Sequence, residues 1–357
     1  MNNKTPNNIK KLIKSLLLLL PFILIVWTVN IVVDPANLVA SRYAKQVAEI
    51  MASGSNATNI QNLDDRQLIR EYASICDKNI DVLVLGSSRS MQVTPQLTGI
   101  EKTFCAGVTG ADLRDSISAY LLFKDKGIQP KKVVLCAEYW FLSKGNLDNR
   151  AMVSGYREFC KNTNNKYYKS DSALKTRIKE LMSFSYFQSS IKFLFSEKKQ
   201  EIVSTDSKNN LYATRCFDGS YSYEQKYRDG GIEQSDKYAN DSIISNLIAK
   251  SFSGVDENLQ KQFEEFITLM KNDGVDVEIQ LSPFHPVYYD HMVKTDFYDE
   301  ILSTEGYFYS LEEKLDINCY GSYNPHLFDM TNADFYDAQH PTAEGIYKYY
   351  HIKNDEI

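Results

Sequence analysis

Metal-ligand spacing is missing from this 357-residue chain. Its six cysteines (Cys76, Cys105, Cys136, Cys160, Cys216, Cys319) form no CxxC and stand beside no histidine pair, which argues against a zinc site. A basic surplus is missing too. The formal charge is −6, so no broad cationic face is offered to phosphates and nucleic acid is not an expected partner. No glycine-rich run or lysine follows Gly86-Ser87-Ser88-Arg89, which weakens phosphate binding as a reading of that turn. There is no internal repeat and no long low-complexity tract. No acidic residue precedes Asp34, and no small-x-small cleavage site closes the first apolar run, with Leu38-Val39-Ala40 a poor and distant candidate.

That apolar run, Leu16 to Val33, is broken only by Pro21, Thr28 and Asn30 and follows Lys4, Lys10, Lys11 and Lys14. A helix of this length can cross a hydrocarbon core of about 30 Å. The lysines would hold the N-terminus in the cytoplasm and place the rest outside. The expectation is a single-pass, uncleaved signal anchor in a bacterial cytoplasmic membrane, with an extracytoplasmic C-terminal domain. Without those four lysines the 40 basic residues fall further behind the 46 acidic ones, to about −10. In an oxidising compartment Cys160 and Cys216 could be bridged, which sequence alone leaves open.

Beyond the anchor (1–33), residues 34–77 read as a helical stalk with amphipathic pieces over Ser41–Ser53 and Asp64–Ile75. From residue 78 short apolar runs alternate with helices. Strands are expected at Asp81–Leu85, Phe104–Cys105, Lys132–Cys136, Val275–Leu281 and Leu315–Cys319. Helices are expected at Leu113–Lys126, Leu259–Lys271, Thr295–Lys314 and Thr342–His351. That order predicts an α/β domain with a parallel sheet. The rhythm lapses over about 144–240, a tyrosine-rich insertion with helical pieces at Ser172–Met182 and Phe184–Phe195. Its tyrosines could line a sugar-binding surface, or serve only as surface and core residues.

Ligands of an open parallel sheet bind beyond the carboxyl ends of its strands. Ser88, Gly110, Glu138 with Tyr139, and His285 all follow strands and should converge there. A serine at a strand-to-helix turn lies near free backbone N–H groups and becomes a nucleophile once a base takes its proton. His340 is the base that Asp337, three residues earlier, could orient. Ser87 or Ser88 as a helix cap, and His340 as a surface histidine, are the plainer alternatives. His285 could touch substrate or simply brace a proline-rich loop. Glu138 could act as an acid-base group or pair with Arg89.

With these elements in place the chain resembles the SGNH/GDSL hydrolase superfamily. Gly86-Ser87-Ser88-Arg89 matches the nucleophile block, Gly107-Val108-Thr109-Gly110 the second block and Asp337-Ala338-Gln339-His340-Pro341 the last. The anchor and Asp34-Pro35 are similar to a membrane-anchored bacterial branch serving D-alanyl-lipoteichoic-acid esterification and exopolysaccharide O-acetylation. The resemblance implies a three-layer, flavodoxin-like fold and catalysis by Ser88, His340 and Asp337, with Ser88 and Gly110 N–H groups as the oxyanion hole. It implies no metal or organic cofactor. The expected partners are a cell-envelope glycan or acylated polymer and a membrane-bound O-acyltransferase. The chain departs from the family's pattern: no asparagine stands at the second or third block, where Cys105 and Cys136-Ala137-Glu138-Tyr139-Trp140 occur. Arg89, Tyr139 and His285 are the replacements the sequence offers. The alternative function is a catalytically degenerate scaffold that binds glycan or the acyltransferase.

Overall fold

The computed structural model describes residues 5–34, 42–60, 63–77, 79–170, 173–195, 201–245, 252–296 and 298–353. Lys4, Pro35 and the Leu38-Val39-Ala40 cleavage reading lie outside them. The chain divides into two compact units, 1–43 with 171–201, and 44–170 with 202–357.

In the first unit, helix Thr5–Val33 packs on helices Ala173–Leu181 and Phe184–Leu194. Asn30, a polar interruption of the apolar run, is fully buried and its amide is satisfied. Its Nδ2 donates to Leu181 O (2.8 Å) and Ser183 O (3.2 Å), and its Oδ1 accepts from Ser190 Oγ (3.2 Å). An unpaired amide there would cost about 1–3 kcal/mol, so Asn30 fixes the register of this helix pair. Leu17 to Leu20 and Phe22 to Ile25 are exposed. No helix among the described residues is long and apolar enough to cross a membrane, so the membrane-spanning expectation gains no structural support.

The second unit is α/β. We number its strands β1 (Asn56–Thr58), β2 (Val82–Leu85), β3 (Thr103–Cys105), β4 (Lys132–Cys136), β5 (Val203–Thr205), β6 (Thr214–Arg215), β7 (Tyr221–Ser222), β8 (Asp276–Gln280) and β9 (Asn318–Tyr320). Five of them form a parallel sheet of order β3-β2-β4-β8-β9. The Val-Leu-Val-Leu of β2 is buried on both faces, as a central parallel strand must be. Alternation sends Val82 and Val84 to one side, with Cys105, Val134 and Cys136. Leu83, Leu85, Val133 and Leu135 therefore point to the other. Helices Leu113–Asp125, Glu257–Asn272 and Tyr298–Leu315 pack against one another and the sheet. On the Val82 side the core is closed by Met91, Phe328, Met330, Phe335, Ile346 and Tyr349, carried largely by short 3-10 turns. Helices, sheet and turns are compatible with a three-layer arrangement.

The helix expected over Thr342–His351 is replaced by one 3-10 turn, Gly345–Lys348. The segment is tied down instead: Thr342 N donates to Asp334 O (2.8 Å), and a Cβ on Gly345 would sit 2.4 Å from that same oxygen. A second sheet, β5-β1-β6-β7, is antiparallel and was not expected. Its neighbouring turn reaches the β3 edge through Cys105 N to Asp218 O (2.8 Å). All six cysteines are free, so Cys160 and Cys216 are not bridged.

Candidate active site

β2 delivers the serines through Gly86. Its φ is +152°, and a Cβ there would meet Cys136 Cβ at 2.8 Å and Cys136 O at 2.9 Å, so only glycine lets the turn press against β4. The two serines then separate. Ser87 is buried, caps the turn by accepting from Arg89 N (3.2 Å) and donates to Glu138 Oε1 (2.6 Å). Ser88 is partly exposed, and its Oγ lies 2.9 Å from His340 Nε2.

His340 is held by Asp337 in a tight loop. Asp337 Oδ1 accepts from Gln339 N (2.8 Å) and His340 N (2.9 Å), while Oδ2 lies 2.8 Å from His340 Nδ1. A carboxylate at Nδ1 fixes the proton there and leaves Nε2 as an acceptor facing Ser88. Burial opposes the charge on Asp337. His340, Tyr227 and the backbone donors outweigh it and hold the carboxyl well below the usual carboxylate range.

Tyr227, which no spacing rule singled out, donates its hydroxyl to Asp337 Oδ2. Its ring stacks on Tyr223 (5.0 Å between centroids) and Tyr238 (5.7 Å), and Tyr223 in turn lies 5.9 Å from the His340 ring. Tyr227→Phe removes a hydrogen bond to a charged group, worth about 1.5–3 kcal/mol. We expect acid unfolding to begin at higher pH. The sign follows from the depressed carboxyl: its stabilisation is full above about pH 4, the unfolded value, and is lost as pH falls through the lower folded value. Raising the folded value narrows that window. An unchanged acid-unfolding curve by circular dichroism contradicts this role.

The remaining candidates lie behind the serine. Arg89 is 2% exposed and its guanidinium is fully occupied by protein. It donates to Glu138 Oε2 (2.7 Å), Gln339 O (3.2 Å), Pro283 O (2.8 Å) and Ser282 O, and lies 4.1 Å over the Phe284 ring. Glu138 is 1% exposed, and burial raises its carboxyl despite Arg89. Tyr139 is fully buried among Trp140, Phe284 and Tyr323. His285 is fully buried, and burial lowers its basicity. It caps helix Pro286–Met292 through Nδ1 and donates its backbone N–H to Ala338 O (3.1 Å). Arg89 and His285 thus brace the 337–340 loop; these four side chains do not line the cleft.

That cleft, about 310 Å³ and open to solvent, has Ser88 and His340 on its wall. Ile60, Leu63 and Met91 make it apolar on one part, Tyr221 and Tyr223 aromatic on another, and Asp65 with Thr109 supply polarity. Among the described residues neither the Ser88 nor the Gly110 N–H has a partner. Gly110 has φ +60°, with nothing within 4 Å of an added Cβ, so glycine is favoured there by conformation, not space. No protein-family model, curated protein or solved structure matches the chain.

Proposed function

We propose that this chain is a serine esterase or O-acyltransferase of SGNH type. The observation that carries the reading is the continuous chain Ser88 Oγ–His340 Nε2 and His340 Nδ1–Asp337 Oδ2, at 2.9 and 2.8 Å, opening on a cleft. His340 takes the Ser88 proton as Oγ attacks an ester carbonyl. The tetrahedral oxyanion is steadied by the Ser88 and Gly110 N–H groups. Collapse breaks the C–O bond to the alcohol, which leaves with the proton from His340, and Ser88 keeps the acyl group. Water or a sugar hydroxyl, deprotonated by His340, then resolves the acyl-serine. The five-strand order, with β2 between β3 and β4, supports the flavodoxin-like reading and puts Ser88 beside the sheet's switch point.

The setting remains a proposal from sequence. The lysines ahead of Leu16–Val33 support a membrane anchor and an extracytoplasmic domain acting on acyl esters of an envelope polysaccharide, beside a membrane-bound O-acyltransferase. One observation favours a non-catalytic scaffold: no asparagine stands at the second or third block, where Cys105 and Cys136-Ala137-Glu138-Tyr139-Trp140 occur. The test is to treat the full chain with a fluorophosphonate and locate the adduct by peptide mass spectrometry. An adduct on Ser88 is expected. Folded protein that takes no label, or takes it elsewhere, sinks the enzyme reading.

A further inference from the structure

We propose that Asp65 and Arg66 form a two-sided clamp that fixes the direction of the Gly110 N–H, on the exposed turn next to the cleft-lining Thr109, which makes Arg66 a positioning residue for the oxyanion. The inference rests on the serine-esterase reading and gives a function to the helix Asp65–Ile75, which precedes the parallel sheet in sequence.

The two residues grip opposite sides of one turn. Asp65 Oδ2 accepts from Thr109 N (3.1 Å) and Thr109 Oγ1 (2.5 Å). Arg66 Nη1 donates to Thr109 O (3.4 Å) and Nη2 to Gly110 O (3.2 Å). Arg66 is itself locked by a forked pair with buried Asp115, Nε to Oδ1 at 3.0 Å and Nη2 to Oδ2 at 2.8 Å, and by Asp148 at 3.3 Å. Arg66 is 6% exposed, so the guanidinium has no freedom to turn away.

The consequence comes from peptide geometry. Thr109 O and Gly110 N belong to one planar trans unit, in which C=O and N–H point in opposite directions. With the carbonyl drawn to Arg66, the Gly110 N–H must point away from it, and it is the one donor of this turn left unengaged. Asp65 meanwhile removes the competing Thr109 donors. The clamp offers a physical substitute for the missing asparagine: one donor, held rigidly, in place of two. Oxyanion donors act through preorganisation, and losing one costs about 10²–10³ in kcat. The guanidinium fork is what fixes two carbonyls at once, which a lysine cannot reproduce.

The experiment uses the full chain, p-nitrophenyl acetate and a fluorophosphonate, with wild type, Arg66→Lys, Arg66→Met and Asp65→Ala. Arg66→Met is expected to lower kcat about 10²-fold with KM within twofold, and Arg66→Lys about tenfold. The fluorophosphonate rate constant should fall in parallel while the final labelled fraction stays complete. Damaged folding does the reverse, lowering the fraction at an unchanged rate. Arg66→Lys keeps a cation beside Asp115 and guards against simple misfolding of Arg66→Met. Wild-type rates in a fully labelled Arg66→Lys and Asp65→Ala would overturn the clamp and leave the esterase standing. Absence of Ser88 labelling in folded wild type would overturn both.

Discussion

Ser88→Ala is expected to lower kcat on p-nitrophenyl acetate by at least about 10⁴-fold, and His340→Ala by a similar factor. The Ser88→Ala/His340→Ala double variant should be no worse than either single one. The two side chains take part in a single event, transfer of the Oγ proton to Nε2 across 2.9 Å as the carbonyl is attacked. Once either is gone, the other has nothing to do, so the losses cannot add. Asp337→Asn should be milder but still large. An asparagine oxygen can keep the Gln339 and His340 backbone donors that Asp337 Oδ1 accepts. Its NH₂ would then face Nδ1 and favour the wrong tautomer. Steady-state kinetics with a burst measurement decide the matter. Additive losses in the double variant, or hydrolysis that survives Ser88→Ala, would show that the residual activity comes from another group.

The parallel sheet was legible because each of its strands is a short, mostly apolar run and each long helix carries an amphipathic pattern. The strand Lys132–Cys136 falls where the sequence places it, and the others shift by one to three residues. The Ser88, Asp337 and His340 elements were legible for a different reason. A strand-to-turn serine and an Asp-x-x-His loop are local signatures, and the fold needs only to bring them together. What failed to show was whatever depends on distant partners. β1, β6 and β7 are two or three residues long and largely polar, and they become strands only because 56–58 and 203–222 meet. The last helix was lost to Asp334 contacts that no pattern in Thr342–His351 encodes. Tyr227 was one tyrosine among 24. Arg66 looked like an ordinary polar residue of an amphipathic helix. Arg89, Glu138 and His285 were read from their position after strands, which correctly put them near the serine but could not tell cleft from interior. Burial made that distinction.

That interior placement makes the Arg89–Glu138 pair the site's main structural liability. Arg89→Met leaves Glu138 buried with only Ser87 Oγ as a partner, at 2.6 Å. Removing one partner of a buried ion pair typically costs about 3–5 kcal/mol. Glu138→Gln leaves Arg89 with its carbonyl acceptors but no counter-charge and should cost a similar amount. The double variant Arg89→Met/Glu138→Gln should cost clearly less than the sum, because no uncompensated charge remains. Denaturant unfolding of the full chain can follow Trp140, whose ring lies 5.1 Å from Tyr139 beside the pair. The pH dependence has a definite sign. Burial raises the Glu138 carboxyl in the folded state. Between the unfolded value, about 4.3, and that raised value the folded state holds more protons, so this group's contribution to stability falls as pH rises. Losing Arg89 removes the attraction that opposes burial and raises the carboxyl further. The Arg89→Met deficit should therefore be largest near neutral pH and shrink toward pH 5, where the lone Glu138 can take up a proton. Activity should not recover in step, because Arg89 also holds Gln339 O and with it the backbone next to His340. A deficit independent of pH, or a double variant as unstable as the sum of the singles, would mean that stacking of the Arg89 guanidinium on Phe284 outweighs the charge pair.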